Sequence, residues 1–152
     1  MTGLEADQGL LREAVRDATA LALRHFHDPR GHWHKGPGQV VTDADLEVDA
    51  LLHDRLLAAR PGYGWLSEER PDDGSRNRAD RVWMVDPIDG TRAFVEGKAE
   101  FTISVALVEG RRPVVGLIVN PVTGERFEVR ADGSARLNDA PCRVSGQTAL
   151  EG

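Results

Sequence analysis

Apolar residues recur at helical spacing near the start of the chain. Leu10, Leu11, Ala14, Val15, Ala18, Leu21 and Ala22 share a stripe, with Arg12, Glu13, Arg16 and Asp17 on the other side. This predicts an amphipathic helix from Gly9 to about Arg24. His25–Gly38 carries Pro29, Gly31, Gly36 and Pro37 and reads as a loop. A second helix is predicted from Thr42, where Thr42-x-x-Asp45 has the spacing of a capping box and Leu46, Val48, Leu51, Leu52 and Leu56 follow. Ala59-Arg60-Pro61-Gly62 ends it. The pattern then turns to short apolar runs, Tyr63–Ser67 and Val82–Val85, around a charged surface loop, Arg70–Asp80. From Phe101 onward three runs, Phe101–Val108, Pro113–Asn120 and Glu125–Val129, are divided by turn sequences rich in Gly, Asn and Asp, as in an antiparallel meander. Two helices followed by strands predict an α+β fold, with the helices packed on a mainly antiparallel sheet. The chain, residues 1–152, reads as a single domain without repeat or flexible linker.

One run departs from this pattern. Val114-Val115-Gly116-Leu117-Ile118-Val119 is apolar on both faces, where a strand with one wet face should alternate. Ile103, Val105 and Leu107 alternate with Thr102, Ser104 and Ala106, which are small rather than charged. Two helices can cover one face of such a sheet. The other calls for a missing domain, a partner chain, or a sheet folded over on itself.

Composition narrows the class. Hydrophobic residues make up 40% and charged residues 29%, which is globular usage. The net charge of -6, with no basic tract, argues against nucleic acid or an anionic membrane surface as a partner. The single cysteine, Cys142, permits no internal disulfide and fits a reducing compartment. Cys142 has no His or Lys pattern around it and reads as a small half-buried residue rather than a nucleophile. The acidic first residues carry no secretion signal, and no apolar run is long enough to span a bilayer. A cytoplasmic location is expected.

Chemistry concentrates in Trp83-Met-Val-Asp86-Pro-Ile-Asp89-Gly-Thr91. An apolar strand runs into two aspartates, then a glycine, a threonine and a short helix-like segment. Charge at a buried strand end is costly unless cations or donors meet it. Pro87 would stiffen the turn between the aspartates, and Gly90 would let backbone approach a ligand. Thr91 would open a helix whose free N–H groups favour phosphate. Glu68 and Glu69 follow the Tyr63–Ser67 strand, so one sheet edge can gather Glu68, Asp86 and Asp89. Three hard oxygen ligands and a backbone carbonyl describe a Mg²⁺ site. The plain alternative makes Asp86 and Asp89 turn and cap residues, and Glu68–Arg70 a solvated charge cluster.

Asp86-Pro-Ile-Asp-Gly-Thr91 after an apolar strand, Ser67-Glu-Glu69 upstream and Val41-Thr-Asp-Ala-Asp45 before a helix resemble the inositol monophosphatase family, in order and over nearly the whole chain. Gly64-Trp-Leu-Ser-Glu-Glu69 and Asp89-Gly-Thr-Arg-Ala-Phe-Val-Glu-Gly97 look most like its 3′(2′),5′-bisphosphate nucleotidase branch. The resemblance implies a layered αβαβα fold, of which this chain would be the first half, and Mg²⁺-dependent phosphomonoester hydrolysis. It implies that Glu68, Asp86 and the Ile88 carbonyl hold a first metal, and that Asp86 bridges to a second, also held by Asp89. Gly90 and Thr91 would bind phosphate through backbone N–H groups, and Thr91 and Glu68 would orient the attacking water. Asp45 would lie in the outer shell of the metals, or serve only as the third residue of its capping box. Lys35 resembles a lysine on a mobile loop near the metals, or is an ordinary surface lysine. The substrate would be 3′-phosphoadenosine 5′-phosphate, with inositol 1-phosphate or histidinol phosphate as alternatives, and a homodimer is expected.

One departure matters. The family's second half carries a Trp-Asp-x-Ala-Ala motif whose Asp completes the second metal site. This chain has Trp33-His, Trp65-Leu and Trp83-Met, and ends about where that half would begin. A truncated enzyme is therefore expected, with the second metal site incomplete. Another class of function stays open: a non-catalytic metal- or phosphate-binding chain that oligomerises through its uncovered sheet face. His25, His27, His32 and His34 could bind Zn²⁺ or Ni²⁺, or form a polar loop over Phe26 and Trp33. Trp65 and Trp83 are read as core.

Overall fold

The computed structural model describes residues 3–28, 32–37 and 39–149. Helix α1 spans Gly3–His27, longer at both ends than the apolar stripe predicts. Leu11, Ala14, Val15, Ala18, Leu21 and Ala22 are buried along it, and Arg24, His25 and His27 place basic groups in its last turn, where the dipole favours them. The segment read as a loop is partly a hairpin: β1 (His32–Gly36) pairs with β2 (Gln39–Thr42). Its sequence, with His, Trp and Lys in succession, shows no alternation, so periodicity could not reveal it.

Helix α2 (Asp43–Ala59) starts on the predicted capping box: Thr42 Oγ1 accepts from the Asp45 N–H and Asp45 returns the bond to the Thr42 N–H. Then come β3 (Gly64–Ser67), a 3₁₀ turn at Ser75–Asn77, β4 (Arg81–Asp89), the short helix α3 (Thr91–Val95), β5 (Thr102–Glu109), β6 (Arg112–Val119), β7 (Arg126–Val129), β8 (Ala135–Leu137) and β9 (Ala140–Pro141). The last two are too short to leave a pattern in the sequence. The seven strands β3 to β9 lie side by side in chain order. Among the described residues, β3 and β4 are the one parallel pair in this sheet, and its other pairings are antiparallel.

Both long helices pack on one face of the sheet, α1 over β5 and β6 and α2 over β4. Trp83, Val85, Ile103, Val105, Leu107, Val115 and Leu117 point into that layer and are buried, as is Trp65. Two buried carboxylates pin the layer. Asp7 on α1 accepts from Arg60, the Tyr63 hydroxyl and Arg81. Glu128 on β7 accepts two bonds from Arg12, at 2.7 and 2.9 Å, and one from Gln8. Buried charge with its donors in place is tolerated.

The opposite face is open, and the sheet does not fold over on itself. Met84, Ile118, Phe127 and Val129 lie on it, with Ile118 44% and Phe127 46% exposed. The register sets Ile118 beside Phe127 and Gly116 beside Val129, so the apolar surface is continuous between β6 and β7. This is the face that the unbroken apolar run predicted to need a cover.

Candidate active site at the carboxyl end of the parallel pair

The site grows from the β3–β4 pair. Ser67 is in register with Val85, so the turn after β3 begins where β4 reaches Asp86. Glu68 is exposed and Glu69 half-buried in that turn. Beyond Asp86 the sequence suggests a turn at Pro87, but β4 runs on to Asp89. The reason lies in its pairing with β5. Asp86 faces Ser104 and Asp89 faces Thr102, so three steps on β4 match two on β5, which is a bulge. Side chains alternate between faces along a regular strand, and positions 86 and 89 would point opposite ways. The extra residue restores them to the same side, with Pro87 and Ile88 buried between.

Gly90 follows in the left-handed region, φ +91°. A Cβ there would lie 2.6 Å from the Glu100 carbonyl oxygen. The tight approach starts α3 at Thr91. One Thr91 hydroxyl oxygen lies 2.9 Å from the Ile88 carbonyl and 3.1 Å from Asp45 Oδ1, with both as acceptors for its single hydrogen. The other Asp45 oxygen, Oδ2, accepts from the Thr42 N–H at 2.7 Å and the Thr42 hydroxyl at 2.6 Å. Asp45 is therefore the capping-box residue and also accepts from the Thr91 hydroxyl. Phe26, Phe94 and Phe101 stack at 4.9–5.6 Å between ring centroids beneath α3 and anchor its position.

The electrostatics mark the same point. Burial first, then the charges of Glu68, Asp89, Asp45 and Glu69, push the Asp86 carboxyl up to about 7. Burial also raises Asp45, against the bonds from Thr42 that lower it. Five acidic groups thus share one field at this sheet edge. Among the described residues, no three acidic, His or Cys side chains stand close enough to hold a metal ion as they lie. The donor chemistry is that of a hard cation: carboxylate oxygens and a carbonyl.

Other residues singled out in the sequence lie elsewhere. Lys35 is in β1, and its side chain, like those of His32, Trp33 and His34, is outside the described residues. His25 contacts Glu47 at 3.0 Å. Phe26 sits in α1 and packs on α3, not under a loop. Trp65 and Trp83 are core residues. Cys142 is half-buried. A further buried acid, Asp49, lies one turn beyond Asp45. It accepts from the Ser67 hydroxyl and from Arg70, the residues flanking Glu68 and Glu69. Its signal was available: positions 45, 48, 49, 52 and 56 form one helical stripe, and two of the five are aspartates.

The family model described as the inositol monophosphatase family matches residues 5–152. An inositol-1-monophosphatase of Rhizobium meliloti is 42% identical over 117 residues, covering 76% of this chain and 43% of the relative. One from Mesorhizobium japonicum is 40% identical over 116 residues, with the same coverage. Among solved structures, the native extragenic suppressor protein suhB of Bartonella henselae superposes with a TM-score of 0.89 at 31% identity, covering 96% of this chain and 57% of that one. The chain spans about half the length of the relatives it matches.

Proposed function

This chain belongs to the inositol monophosphatase family, and we propose that it carries the cation-binding part of a Mg²⁺-dependent phosphomonoesterase acting on an inositol monophosphate. The observation that carries this reading is geometric: the β4 bulge sets Asp86 and Asp89 on one side, at the strand end where the Glu68 turn begins and the Thr91 hydroxyl meets the Ile88 carbonyl. The Asp86 carboxyl is raised to about 7 by burial and by the four neighbouring carboxylates. A strand end built this way gains stability from a hard divalent cation.

Glu68, Asp86 and the Ile88 carbonyl would hold one Mg²⁺, and Asp86 with Asp89 a second. Mg²⁺, when bound, supplies charge neutralisation at the phosphoryl oxygens and a more acidic water. The chain's own groups do the rest. The Thr91 hydrogen is engaged by Asp45 and the Ile88 carbonyl, which turns the Thr91 lone pairs outward to accept from a water. Glu68 would accept the second water hydrogen, so that the water oxygen points at phosphorus. Attack would form the new P–O bond as the water gives a proton to Glu68, the ester P–O bond would break, and that proton would be restored through solvent to the departing alkoxide. The backbone N–H groups of Gly90 and Thr91 would hold a phosphate oxygen. Because α3 has five residues, these local donors matter more than a helix dipole. No covalent phospho-enzyme is part of this mechanism.

The substrate assignment rests on the relatives at 40% and 42% identity, both named inositol-1-monophosphatase. The segments Gly64–Glu69 and Asp89–Gly97 favour a second reading, a 3′(2′),5′-bisphosphate nucleotide. The relatives extend well beyond the span of this chain, and a further ligand of the second Mg²⁺ would come from that remainder. Cytoplasmic residence and a homodimer belong to the same proposal; sedimentation would show the dimer as twice the 16.6 kDa chain mass.

Phosphate release tests the proposal, with inositol 1-phosphate and 3′-phosphoadenosine 5′-phosphate as substrates and Asp86→Asn as control. Mg²⁺-dependent release from the inositol phosphate, lost in the variant, is expected. Preference for the nucleotide would select the second reading. Release from neither would reject the chain as a hydrolase on its own.

A further inference from the structure

Two carboxylates one turn apart on α2, both buried, face the candidate site. Asp45 reaches the Thr91 turn. Asp49, 2% exposed, reaches the Glu68–Glu69 turn from the other side: Ser67 Oγ donates to one of its oxygens and Arg70 Nε to the other. Ser67 Oγ in turn accepts from the Glu69 N–H at 3.2 Å. The turn that carries Glu68 is therefore gripped at both ends by one carboxylate. A buried ion pair is a poor source of net stability, and an apolar residue would fill the helix stripe as well. Its value here is geometric: it fixes where the first half of the site begins.

We propose that Asp49 is a positioning residue that, through Ser67 and Arg70, holds the Glu68 turn against the end of β4 and so sets the affinity of the site for a divalent cation. The inference rests on the reading of Glu68 and Asp86 as cation ligands. Groups that orient metal ligands without touching the metal commonly change affinity by about 10–100-fold when removed.

Three substitutions separate positioning from charge. Asp49→Asn keeps the shape but removes a negative charge, so a field effect alone weakens cation binding. Ser67→Ala changes no charge. Arg70→Ala removes a positive charge, so a field effect tightens binding, whereas loss of positioning weakens it. Asp7→Asn is the control for plain destabilisation, because Asp7 grips the opposite ends of the same strands through Tyr63 and Arg81.

Mg²⁺ binding to the purified chain is measured by titration calorimetry at 20 °C, with thermal unfolding of each variant alongside. The expected result is a Kd raised about 10-fold or more in Ser67→Ala and Asp49→Asn, and raised rather than lowered in Arg70→Ala. Asp7→Asn should lower the Tm and leave the Kd unchanged. Folded Ser67→Ala and Arg70→Ala proteins that bind Mg²⁺ as the wild type does would overturn the proposal even if Asp49→Asn fails to fold. Wild type that binds and Asp86→Asn that does not would keep the underlying site reading apart from that failure. Wild type that binds no Mg²⁺ would remove both.

Discussion

Gly90 offers the sharpest structural test of how the site is assembled. It joins β4 to α3 with φ +91°, and an added Cβ would sit 2.6 Å from the Glu100 carbonyl oxygen and 3.2 Å from the Phe101 Cα. Both obstacles are backbone, so no flexible side chain can swing away. Gly90→Ala therefore carries two costs. The left-handed conformation costs an L-residue about 1–2 kcal/mol, partly offset by about 0.4–1 kcal/mol from a stiffer unfolded chain. Displacing the segment around Phe101, a fully buried residue, adds about 1–3 kcal/mol, the usual range for overpacking. The total is roughly 1–5 kcal/mol, centred near 3, which is on the order of 10 °C in Tm for a chain of this size. Gly124 isolates the first cost, since its φ is +73° and nothing lies within 4 Å of an added Cβ. Thermal unfolding followed by circular dichroism should show Gly124→Ala within about 1 kcal/mol of wild type and Gly90→Ala well below both. Equal Tm values for the two variants would refute the close approach of β4 and the Glu100–Phe101 backbone, and with it the placement of Thr91.

Asp86 makes the metal-free protein sensitive to pH. Its carboxyl is raised in the folded state, so its contribution to stability is full below the ordinary value of 3.8 and is lost as pH rises through about 7. Asp86→Asn should therefore melt above wild type at pH 8 in EDTA, with the gap closing toward pH 5; a variant no more stable than wild type at pH 8 would contradict the crowding of carboxylates. Arg12→Ala removes both of its bonds to Glu128, which is 4% exposed, and should cost about 1.5–3 kcal/mol in urea unfolding; an unchanged midpoint would count against that lock. Ile118→Thr with Phe127→Thr should reduce binding of a hydrophobic fluorescent dye while stability moves by less than about 1 kcal/mol, because both side chains are nearly half exposed. A loss of several kcal/mol would mean that this face is packed.

What could be read from the sequence was local. The α1 stripe, the Thr42–Asp45 capping box and the alternation in β5 each depend on neighbours within a few positions, and each lies where the pattern put it. The uncovered face was legible because β6 is apolar on both sides. The extension of β4 through Pro87 was hidden, because proline reads as a turn and a bulge leaves no periodic mark. So was the consequence that Asp86 and Asp89 share a face. The buried polar contacts were hidden for another reason. Asp7 and Gln8 precede the start that the apolar stripe gives the helix, and nothing near them in sequence announces Arg60, Arg81 and Glu128, which arrive from more than 50 positions away. Asp49 lay between these cases: its place on the apolar stripe of α2 was visible, but its partners were not.

We propose Glu68, Asp86, Asp89 and the Ile88 carbonyl as the ligands of a divalent cation. A crystal of the protein soaked in Mn²⁺, a scattering substitute for Mg²⁺, would test that assignment by anomalous diffraction. An anomalous peak bonded to Asp86 is expected, with Glu68 and the Ile88 carbonyl also at coordination distance, and no such peak in Asp86→Asn crystals. A wild-type crystal with no peak at Asp86, or with Mn²⁺ held instead by the histidines of the α1 end, would contradict it.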